Sequence, residues 1–377
     1  MSENEQMNAV TGDAPKPKAA PQNRRVLSGM RPTGKLHIGH FAGAIQNWVR
    51  LQRDYECFFF SADWHALTTN YADTSRVNED TLEIAADWLA CGVDPEKATV
   101  FIQSHVPQTA ELHLLLSMMT PLGWLERVPT YKEQRENIKD KDLSTYGFLG
   151  YPVLMTSDIL LYQAGNVPVG EDQVAHVEIT REIARRFNQF YYLGRDGKRS
   201  PKRLSERNRR FVFPEPQPLL APSPKLPGTD GRKMSKSYGN SILISDPEVE
   251  IRKKLKTMLT DPARMRREDK GDPMKCPVGD LHRIFSDQET LCKVNDGCTT
   301  AGIGCIECKQ WAADHLMKVL DPIQQRRRPF EENPKMVWDI LEAGSEKARK
   351  AAQATIEQVR EAMNLSHEFK AVAQGQK

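Results

Sequence analysis

The stretch VLSGMRPTGKLHIGH, residues 26–40, predicts the first unit of the fold. It opens with a short apolar run, VLSGM, which is typical of a buried strand. After it, Ile38, Phe41, Ile45 and Trp48 recur at the spacing of one helical face. The stretch therefore predicts a strand followed by a helix, with two histidines where the helix begins.

The same alternation continues along the chain. ECFFFSAD, residues 56–63, and ATVFIQS, residues 98–104, are two more strand candidates. Between them, TLEIAADWLACGVDP predicts an amphipathic helix that is stopped by Gly92 and Pro95. Strands that alternate with helices predict an α/β fold with a Rossmann-like parallel sheet.

Ligands of open parallel sheets bind at the carboxyl ends of the strands, so residues 28–40 and 61–65 are expected at one rim. From residue 246 onward the periodicity is mostly helical. We therefore expect a catalytic domain over residues 24–245 and a smaller all-helical domain over residues 246–377. A basic, proline-rich connection is expected at residues 194–231.

Composition indicates a soluble globular protein of about two domains, with 377 residues of which 39% are hydrophobic and 27% charged. No apolar run reaches the ~18 residues of a membrane span. Residues 1–23 are polar, predict a disordered extension, and lack the apolar segment of a signal peptide, so the cytoplasm is the expected location.

The net charge of +3 is small, but basic residues cluster at 195–210, 253–256 and 326–328. Each cluster could be solvated surface charge, whereas three clusters beside a nucleotide site would favour a polyanionic partner.

The HIGH sequence has the chemistry of a phosphate site. A helix N-terminus presents unpaired N–H groups and the positive end of the helix dipole, which attract phosphate. His37 and His40 lie one turn apart, so both can donate hydrogen bonds to a phosphoryl group. Gly39 has no side chain, which leaves room for a base or ribose against the backbone.

A second basic segment, GRKMSKSYGN at residues 231–240, contains two lysines, Lys233 and Lys236, and two serines, Ser235 and Ser237. Lysines on a loop suit a transient polyphosphate. The chain has no GxxxxGK[ST] loop, so these lysines would supply the charge that such a loop gives elsewhere.

HIGH and KMSKS in this order resemble the two signatures of class I aminoacyl-tRNA synthetases. More narrowly, the chain resembles the tryptophanyl-tRNA synthetases in SADWHALTT (61–69), YPVLMTSDILLYQAGNVPVGEDQ (151–173) and PKLPGTDGRKMSKSYGN (224–240). The resemblance implies a Rossmann catalytic domain, a helical anticodon-binding domain and a homodimer. It also implies ATP with Mg²⁺, L-tryptophan and tRNA(Trp) as ligands.

The resemblance also implies roles for individual residues. Asp158 matches the acid that accepts the indole N–H, and an apolar pocket with one buried acceptor suits an indole ring. The other residues expected to bind tryptophan are Met155, His65, Val167, Val169 and Gln173. The residues expected to bind ATP are Arg31, Thr33, Gly39, His40, Gly170, Asp172, Gln173, Lys233, Met234, Ser235, Lys236 and Ser237. His37, His40, Lys233 and Lys236 are the expected catalytic residues. Gln103 and Lys132 are weaker candidates.

Cysteine spacing predicts a metal site. Cys276, Cys298, Cys305 and Cys308 form the pattern C-x21-C-x6-C-x2-C, and Cys292 stands outside it. Four thiolates can hold either a structural zinc ion or an iron–sulfur cluster. Some members of the family carry a [4Fe–4S] cluster on this spacing, so the resemblance favours the cluster.

The resulting hypothesis is a ligase that joins L-tryptophan to tRNA(Trp) through a tryptophanyl-adenylate, with Arg326 to Arg328 as candidate anticodon contacts. Three alternatives remain open at this point. They are a tyrosine-specific synthetase, a small-molecule nucleotidyltransferase, and a catalytically idle paralogue that binds RNA or senses tryptophan.

Overall fold

The computed structural model describes residues 24–129, 131, 142–194, 196–198, 209–220 and 226–365, except for the side chains of Asp172 and Ser237. The expected N-terminal extension, Lys132 and most of the 195–210 cluster lie outside the described residues.

A five-stranded parallel sheet forms the centre of the chain, which confirms the predicted α/β fold class. The strands are β1 Arg25–Met30, β2 Glu56–Ser61, β3 Ala98–Ile102, β4 Asn166–Val169 and β5 Gln217–Leu220. Their order is β3-β2-β1-β4-β5, so the sheet grows in opposite directions from β1. The crevice at the carboxyl ends of β1 and β4 is therefore the place where such a sheet binds its ligand.

Helices cover both faces of the sheet. The helix predicted after β1 is present as α1 Ile38–His40, a π-helical turn Phe41–Ile45 and α2 Gln46–Leu51. The helices that follow up to the last strand are α3 Asp63–Asn70, α4 Val77–Ala90, α5 Gln108–Ser117, α6 Leu122–Glu126, α7 Tyr146–Leu161 and α8 Val174–Phe190. The end of α4 is the predicted one, because Gly92 adopts a positive φ of 105° directly after it.

After the last strand, the elements are helical, as the periodicity predicted. They are α9 Glu248–Thr257, α10 Pro277–Phe285, α11 Gln288–Thr299, α12 Cys305–Glu332 and α13 Pro334–Met363. Within the described residues, no helix is both long enough and apolar enough to cross a membrane.

Two hydrophobic clusters lie on opposite faces of the sheet, because successive strand side chains point in opposite directions. Phe59 packs in one cluster with Trp48, at 4.4 Å between ring centroids, and its neighbour Phe58 packs in the other. The last helix, α13, lies directly against β3, where a Cβ atom on Gly344 would meet the Val100 carbonyl oxygen at 1.8 Å. The helical region therefore shares its core with the sheet, and the boundary at residue 246 stays a prediction.

Candidate active site

The two histidines of HIGH cap the helix that follows β1. His37 is the N-cap residue of α1, and its Nδ1 accepts the His40 backbone N–H at 3.3 Å. In return, Nδ1 of His40 accepts the His37 backbone N–H at 3.4 Å, and the two rings stack at 3.7 Å. Because both Nδ1 atoms act as acceptors, each neutral ring carries its proton on Nε2. Both Nε2–H groups are therefore left as hydrogen-bond donors.

Both rings are neutral at physiological pH. Burial lowers the pKa of His37 to about 4, with a further contribution from the charges of Lys236 and Lys233. Burial and the neighbouring His37, Lys236 and Lys233 lower the pKa of His40 to about 3. The histidines can therefore act as neutral donors, and the positive charge of the site comes from the lysines.

The sequence suggested that Gly39 leaves room for a nucleotide, but in the structure the nearest group to Gly39 is the His37 ring. A Cβ atom there would approach Nδ1 of His37 at 2.9 Å and Cε1 at 3.0 Å. The glycine therefore lets the His37 ring fold over the helix start, in addition to any room that it leaves for a nucleotide.

The HIGH segment and the chain that follows KMSKS pair directly. The N–H of Ile38 donates to the Ile242 carbonyl at 3.0 Å, and the N–H of Ile244 donates to the Leu36 carbonyl at 2.9 Å. The HIGH segment also bonds to α4, because the N–H of Leu36 donates to Oδ2 of Asp87 at 2.7 Å. The structure therefore brings together the two motifs that the sequence separates by almost two hundred residues.

Lys236 of KMSKS reaches the turn that precedes HIGH. Its Nζ donates to the Thr33 carbonyl at 2.5 Å, to Oγ1 of Thr33 at 3.1 Å and to the Gly34 carbonyl at 2.9 Å. Burial lowers its pKa, while the charges of Asp80 and Asp87 act in the opposite direction. The ammonium group is thus held by neutral oxygen atoms close to the helix start.

The rest of the KMSKS loop is organised by a residue that the motif analysis missed. Asn240 accepts the Ser235 N–H at 2.8 Å and donates to Asp230 at 2.7 Å and to the Lys233 carbonyl at 3.2 Å. Met234 is buried and anchors the loop, whereas Lys233 is exposed. An open cavity of about 540 Å³ lies beside Lys236.

Asp158 lies at the centre of a buried network that joins three separate segments. Its Oδ2 contacts Nε2 of His65 at 2.9 Å, and both of its oxygens accept from Nε2 of Gln103 at 2.9 Å. Oε1 of Gln103 in turn accepts the backbone N–H of Trp64 at 3.1 Å. Asp158, His65 and Gln103 are all buried. The carboxylate therefore has a fixed orientation at the rim of the sheet.

The other residues expected in the pocket lie on α7, on β4 and directly after β4. Met155 stands one turn before Asp158 on α7 and, like Val169, is partly buried, whereas Val167 is fully buried in the core. Gly170 and Gln173 follow β4 directly, in a short 3₁₀ turn whose Gln173 N–H donates to the Gly170 carbonyl at 3.0 Å.

Two further polar groups belong to the same region. Tyr151, on α7, contacts Nε2 of His176 through its hydroxyl at 2.5 Å, a buried pair that sequence reasoning did not identify. Burial lowers the pKa of Arg31, and interaction with Tyr151 raises it. Arg31, which is expected to bind ATP, therefore interacts electrostatically with the same helix that carries Met155 and Asp158.

The four patterned cysteines lie at the ends of three helices. Cys276 is the N-cap residue of α10, Cys298 lies in the last turn of α11, and Cys305 and Cys308 occupy the first turn of α12. Burial and the charges of the other three thiols raise the pKa of Cys308 to about 12. Cys292 is exposed. Among the described residues, no group of three or more His, Cys, Asp or Glu side chains is arranged to hold a metal ion.

Two basic side chains adjoin these cysteines, and neither was expected. Arg264 is buried, and its Nη1 approaches Sγ of Cys298 at 3.7 Å. Nε of Arg264 has no hydrogen-bond partner among the described residues. The second side chain is His282, whose Nε2 lies 3.4 Å from Sγ of Cys308 and 3.1 Å from the Cys308 carbonyl oxygen.

The expectation that Arg326 to Arg328 contact the anticodon is wrong for Arg327 in this structure. The Arg327 side chain is only 2% exposed and pairs with Asp87, Glu83 and Glu331. A charge run in the sequence cannot show that one of its members turns inward toward carboxylates from another helix. Nε of Arg326 donates to the Ala90 carbonyl at 2.7 Å, and Arg328 is exposed.

A parallel sheet that carries a histidine-capped helix and a lysine loop at its carboxyl edge defines a nucleotide-binding enzyme of the class I synthetase type. The comparison with known families agrees, since the model described as tRNA synthetases class I (W and Y) matches residues 20–321. The chain belongs to this family.

Individual relatives match over most of their length. The tryptophan–tRNA ligase of Thermotoga maritima is 52% identical over 343 residues, which cover 90% of this chain and 99% of that protein. The tryptophan–tRNA ligase of Ralstonia nicotianae is 49% identical and covers 91% of this chain and 99% of that protein. The solved tryptophanyl-tRNA synthetase from Campylobacter jejuni, complexed with ADP and tryptophan, is 32% identical, has a TM-score of 0.77, and covers 90% and 99% of the two chains.

Proposed function

We propose that this protein is an enzyme that attaches L-tryptophan to tRNA(Trp), using ATP with Mg²⁺ and a tryptophanyl-adenylate intermediate. The observation that carries the chemistry is the pairing of the HIGH segment with the chain after KMSKS, which sets two neutral imidazoles beside Lys236. The amino acid follows from the near full-length identity with tryptophan–tRNA ligases. The product, tryptophanyl-tRNA, is a substrate of protein synthesis. Because protein synthesis takes place in the cytoplasm, we propose that the enzyme acts there.

In the first step, a carboxylate oxygen of tryptophan attacks the α-phosphorus of ATP. A bond forms between this oxygen and phosphorus, the bond from the α-phosphorus to the bridging oxygen breaks, and pyrophosphate leaves with the bonding electrons. No protein nucleophile or proton transfer is needed, so positioning and charge stabilisation carry the catalysis. The Nε2–H groups of His37 and His40 would donate to phosphate oxygens whose charge is rising.

Lys236 supplies the mobile positive charge of this step. Its three present acceptors are neutral oxygens of Thr33 and Gly34, and a phosphate oxygen makes a stronger, charge-assisted bond. We expect Lys236 to exchange these oxygens for the triphosphate when ATP binds. Lys233 is exposed on the same loop and would meet the pyrophosphate end.

Asp158 is the proposed acceptor of the indole N–H. A carboxylate has about four lone-pair sites, and the contacts with His65 and Gln103 use three of them. The network therefore fixes the carboxylate and leaves acceptor capacity for one ligand donor. Met155 and Val169, which are partly buried beside it, would form apolar walls for the ring.

In the second step, a hydroxyl of the terminal tRNA ribose attacks the tryptophanyl carbonyl carbon, the ester bond forms, and AMP leaves. The helical region after residue 246 is the proposed anticodon-binding domain. Its shared core with the sheet, through α13 and β3, would hold the two tRNA-contacting parts in a fixed relation.

We also propose a [4Fe–4S] cluster on Cys276, Cys298, Cys305 and Cys308. The four thiols lie at the ends of three helices, and the buried Arg264 beside them has an Nε–H without a hydrogen-bond partner in the described part of the chain, which suits an anionic thiolate group. Four thiolates can hold either a structural zinc ion or a cluster, and the resemblance of the cysteine spacing to cluster-bearing members of the family is the reason for choosing the cluster. When bound, the cluster supplies a cross-link between helices.

A homodimer is the proposed assembly. Large apolar side chains are exposed on adjacent elements, α5, α6, the start of α7 and the end of α8: Leu114, Met118, Leu122, Tyr146 and Phe190. The guanidinium of Arg186 links two of these elements, at 4.9 Å from the Phe190 ring and 5.9 Å from that of Trp124. Sedimentation should give a dimer for the wild type and a monomer for Met118→Glu, and a monomeric wild type would contradict the proposal.

ATP–pyrophosphate exchange, run first with tryptophan and then with tyrosine, tests the proposed activity. We expect exchange that depends on tryptophan and on Mg²⁺. Preferential exchange with tyrosine would assign the chain to the other substrate of its family. No exchange with either amino acid would support the idle paralogue.

A further inference from the structure

One helix of the C-terminal region, α12, supports both segments of the HIGH and KMSKS pairing, one directly and the other through a buried carboxylate. The contacts come from a single turn of this helix. Gln324 donates to the chain after KMSKS, and Arg327 reaches the HIGH segment through Asp87. Arg326 donates to the Ala90 carbonyl at the end of α4. Within the described part of the chain, the hydrogen bonds and ion pairs of these side chains go to none of the residues expected to bind ATP or tryptophan.

Arg327 acts on the HIGH segment through a buried carboxylate. Its Nε donates to Oδ1 of Asp87 at 2.6 Å, and Oδ2 of the same carboxylate accepts the Leu36 N–H at 2.7 Å. Asp87 is fully buried. Because Leu36 directly precedes His37, the guanidinium fixes the position at which the histidine cap begins.

Gln324 acts on the other partner of the pairing. Its Nε2 donates to the Ile244 carbonyl at 2.8 Å and to the Asp246 carbonyl at 2.9 Å. The N–H of Ile244 donates in turn to the Leu36 carbonyl at 2.9 Å. The two motif-bearing segments are therefore bonded to each other, and α12 holds each of them. Gln324 bonds the chain after KMSKS directly, and Arg327 holds the HIGH segment through Asp87.

We propose that Arg327 and Gln324 are positioning residues for the adenylation step, an inference that rests on the proposed function. They act through Leu36 and Ile244, and set the distance between the His37–His40 donors and the KMSKS loop. A small displacement of aligned groups strongly reduces the rate of a reaction that depends on positioning. Loss of these contacts should therefore lower kcat more than it weakens tryptophan binding.

The geometry also predicts which replacement of Arg327 is most harmful and how to reverse it. Arg327 pairs with Asp87, Glu83 and Glu331, so Arg327→Met leaves the buried Asp87 carboxylate without a counter-charge. Adding Asp87→Asn removes this charge and keeps an oxygen that accepts the Leu36 N–H. The double variant should regain most of the lost rate.

The test compares kcat for tryptophan-dependent exchange, the Kd for tryptophan from equilibrium dialysis, and Tm. We expect Arg327→Met to lower kcat by about tenfold or more, with the tryptophan Kd nearly unchanged. Gln324→Leu should lower kcat by a smaller factor, again with the tryptophan Kd nearly unchanged. This variant replaces Arg327→Met in the test if Arg327→Met fails to fold. Ile356→Ala is the matched control, because it removes fully buried atoms from the other core cluster and should lower Tm without lowering kcat.

Unchanged kcat in folded Arg327→Met or Gln324→Leu protein would overturn the inference. The inference would also be overturned if Ile356→Ala, at an equal loss of Tm, lowered kcat as much as Arg327→Met does. Failure of Asp87→Asn to restore the rate of Arg327→Met would overturn it as well. A wild-type enzyme without tryptophan-dependent exchange would instead contradict the proposed function, so the two failures are distinguishable.

Discussion

Replacement of Asp158 by alanine should remove the recognition of the indole N–H. A hydrogen bond to a charged acceptor contributes about 1.5–3 kcal/mol, which corresponds to a tryptophan KM about 10- to 150-fold higher. The same change leaves the buried donors of His65 and Gln103 without their present acceptor, so stability should also fall, by about 1–3 kcal/mol for each unsatisfied group.

A substrate analogue separates recognition from damage to the fold. In the benzothienyl analogue of tryptophan, sulfur replaces the indole N–H and the ring keeps nearly the same shape. The wild type should discriminate against this analogue in pyrophosphate exchange, and Asp158→Ala should lose most of that discrimination. Asp63→Ala is a matched control, because Asp63 is a buried carboxylate at the same rim whose Oδ1 accepts the backbone N–H groups of Trp64 and Ser104. Equal discrimination by the wild type and Asp158→Ala would refute the role of this carboxylate.

Four other predictions concern the phosphate site and the cysteines. His40→Ala and Lys236→Ala should each slow adenylate formation far more than they weaken tryptophan binding, because their contacts strengthen as charge moves to pyrophosphate; near-normal exchange rates would place the active site elsewhere. Because the folded pKa values of His37 and His40 are about 4 and 3, kcat/KM for ATP should show no histidine titration between about pH 5.5 and 8. Their contribution to stability should be complete above the unfolded value of 6.5 and decline as pH falls toward 4, since the unfolded chain then binds protons that the folded rings do not; a midpoint in urea that does not change over this range would contradict the assignment. Protein purified without oxygen should be brown, absorb near 400 nm and hold about four irons per chain, and Cys305→Ser should abolish the colour and weaken tRNA charging while leaving exchange largely intact; colourless protein with one zinc would replace the cluster by a structural metal.

Much of the fold could be predicted from the sequence because its signals are local. The buried strands are short apolar runs, and α4 ends at a glycine, Gly92, that takes a positive φ. The site residues at strand ends, such as His65 and Gln103, were predictable as a group because carboxyl ends of parallel strands share one edge.

The connections between segments were not predictable in the same way. Gln103 stands 55 residues from Asp158, and nothing in either segment shows that its amide donates to both carboxylate oxygens. The basic run at 326–328 predicted an exposed surface, because a run of unpaired charges is solvated. Arg327 is instead buried, because it pairs with three carboxylates. Tertiary hydrogen bonds decide both cases, and periodicity does not contain them.

Transfer of labelled tryptophan to tRNA measures the whole proposed reaction in one assay. The full-length protein is mixed with ATP, Mg²⁺, tRNA(Trp) and tritiated tryptophan, and the label that precipitates with the RNA is counted. We expect ATP-dependent labelling of tRNA(Trp) by tryptophan and none by tyrosine. Labelling of a tRNA by tyrosine, or no labelling of tRNA(Trp) by tryptophan, would contradict the proposed function.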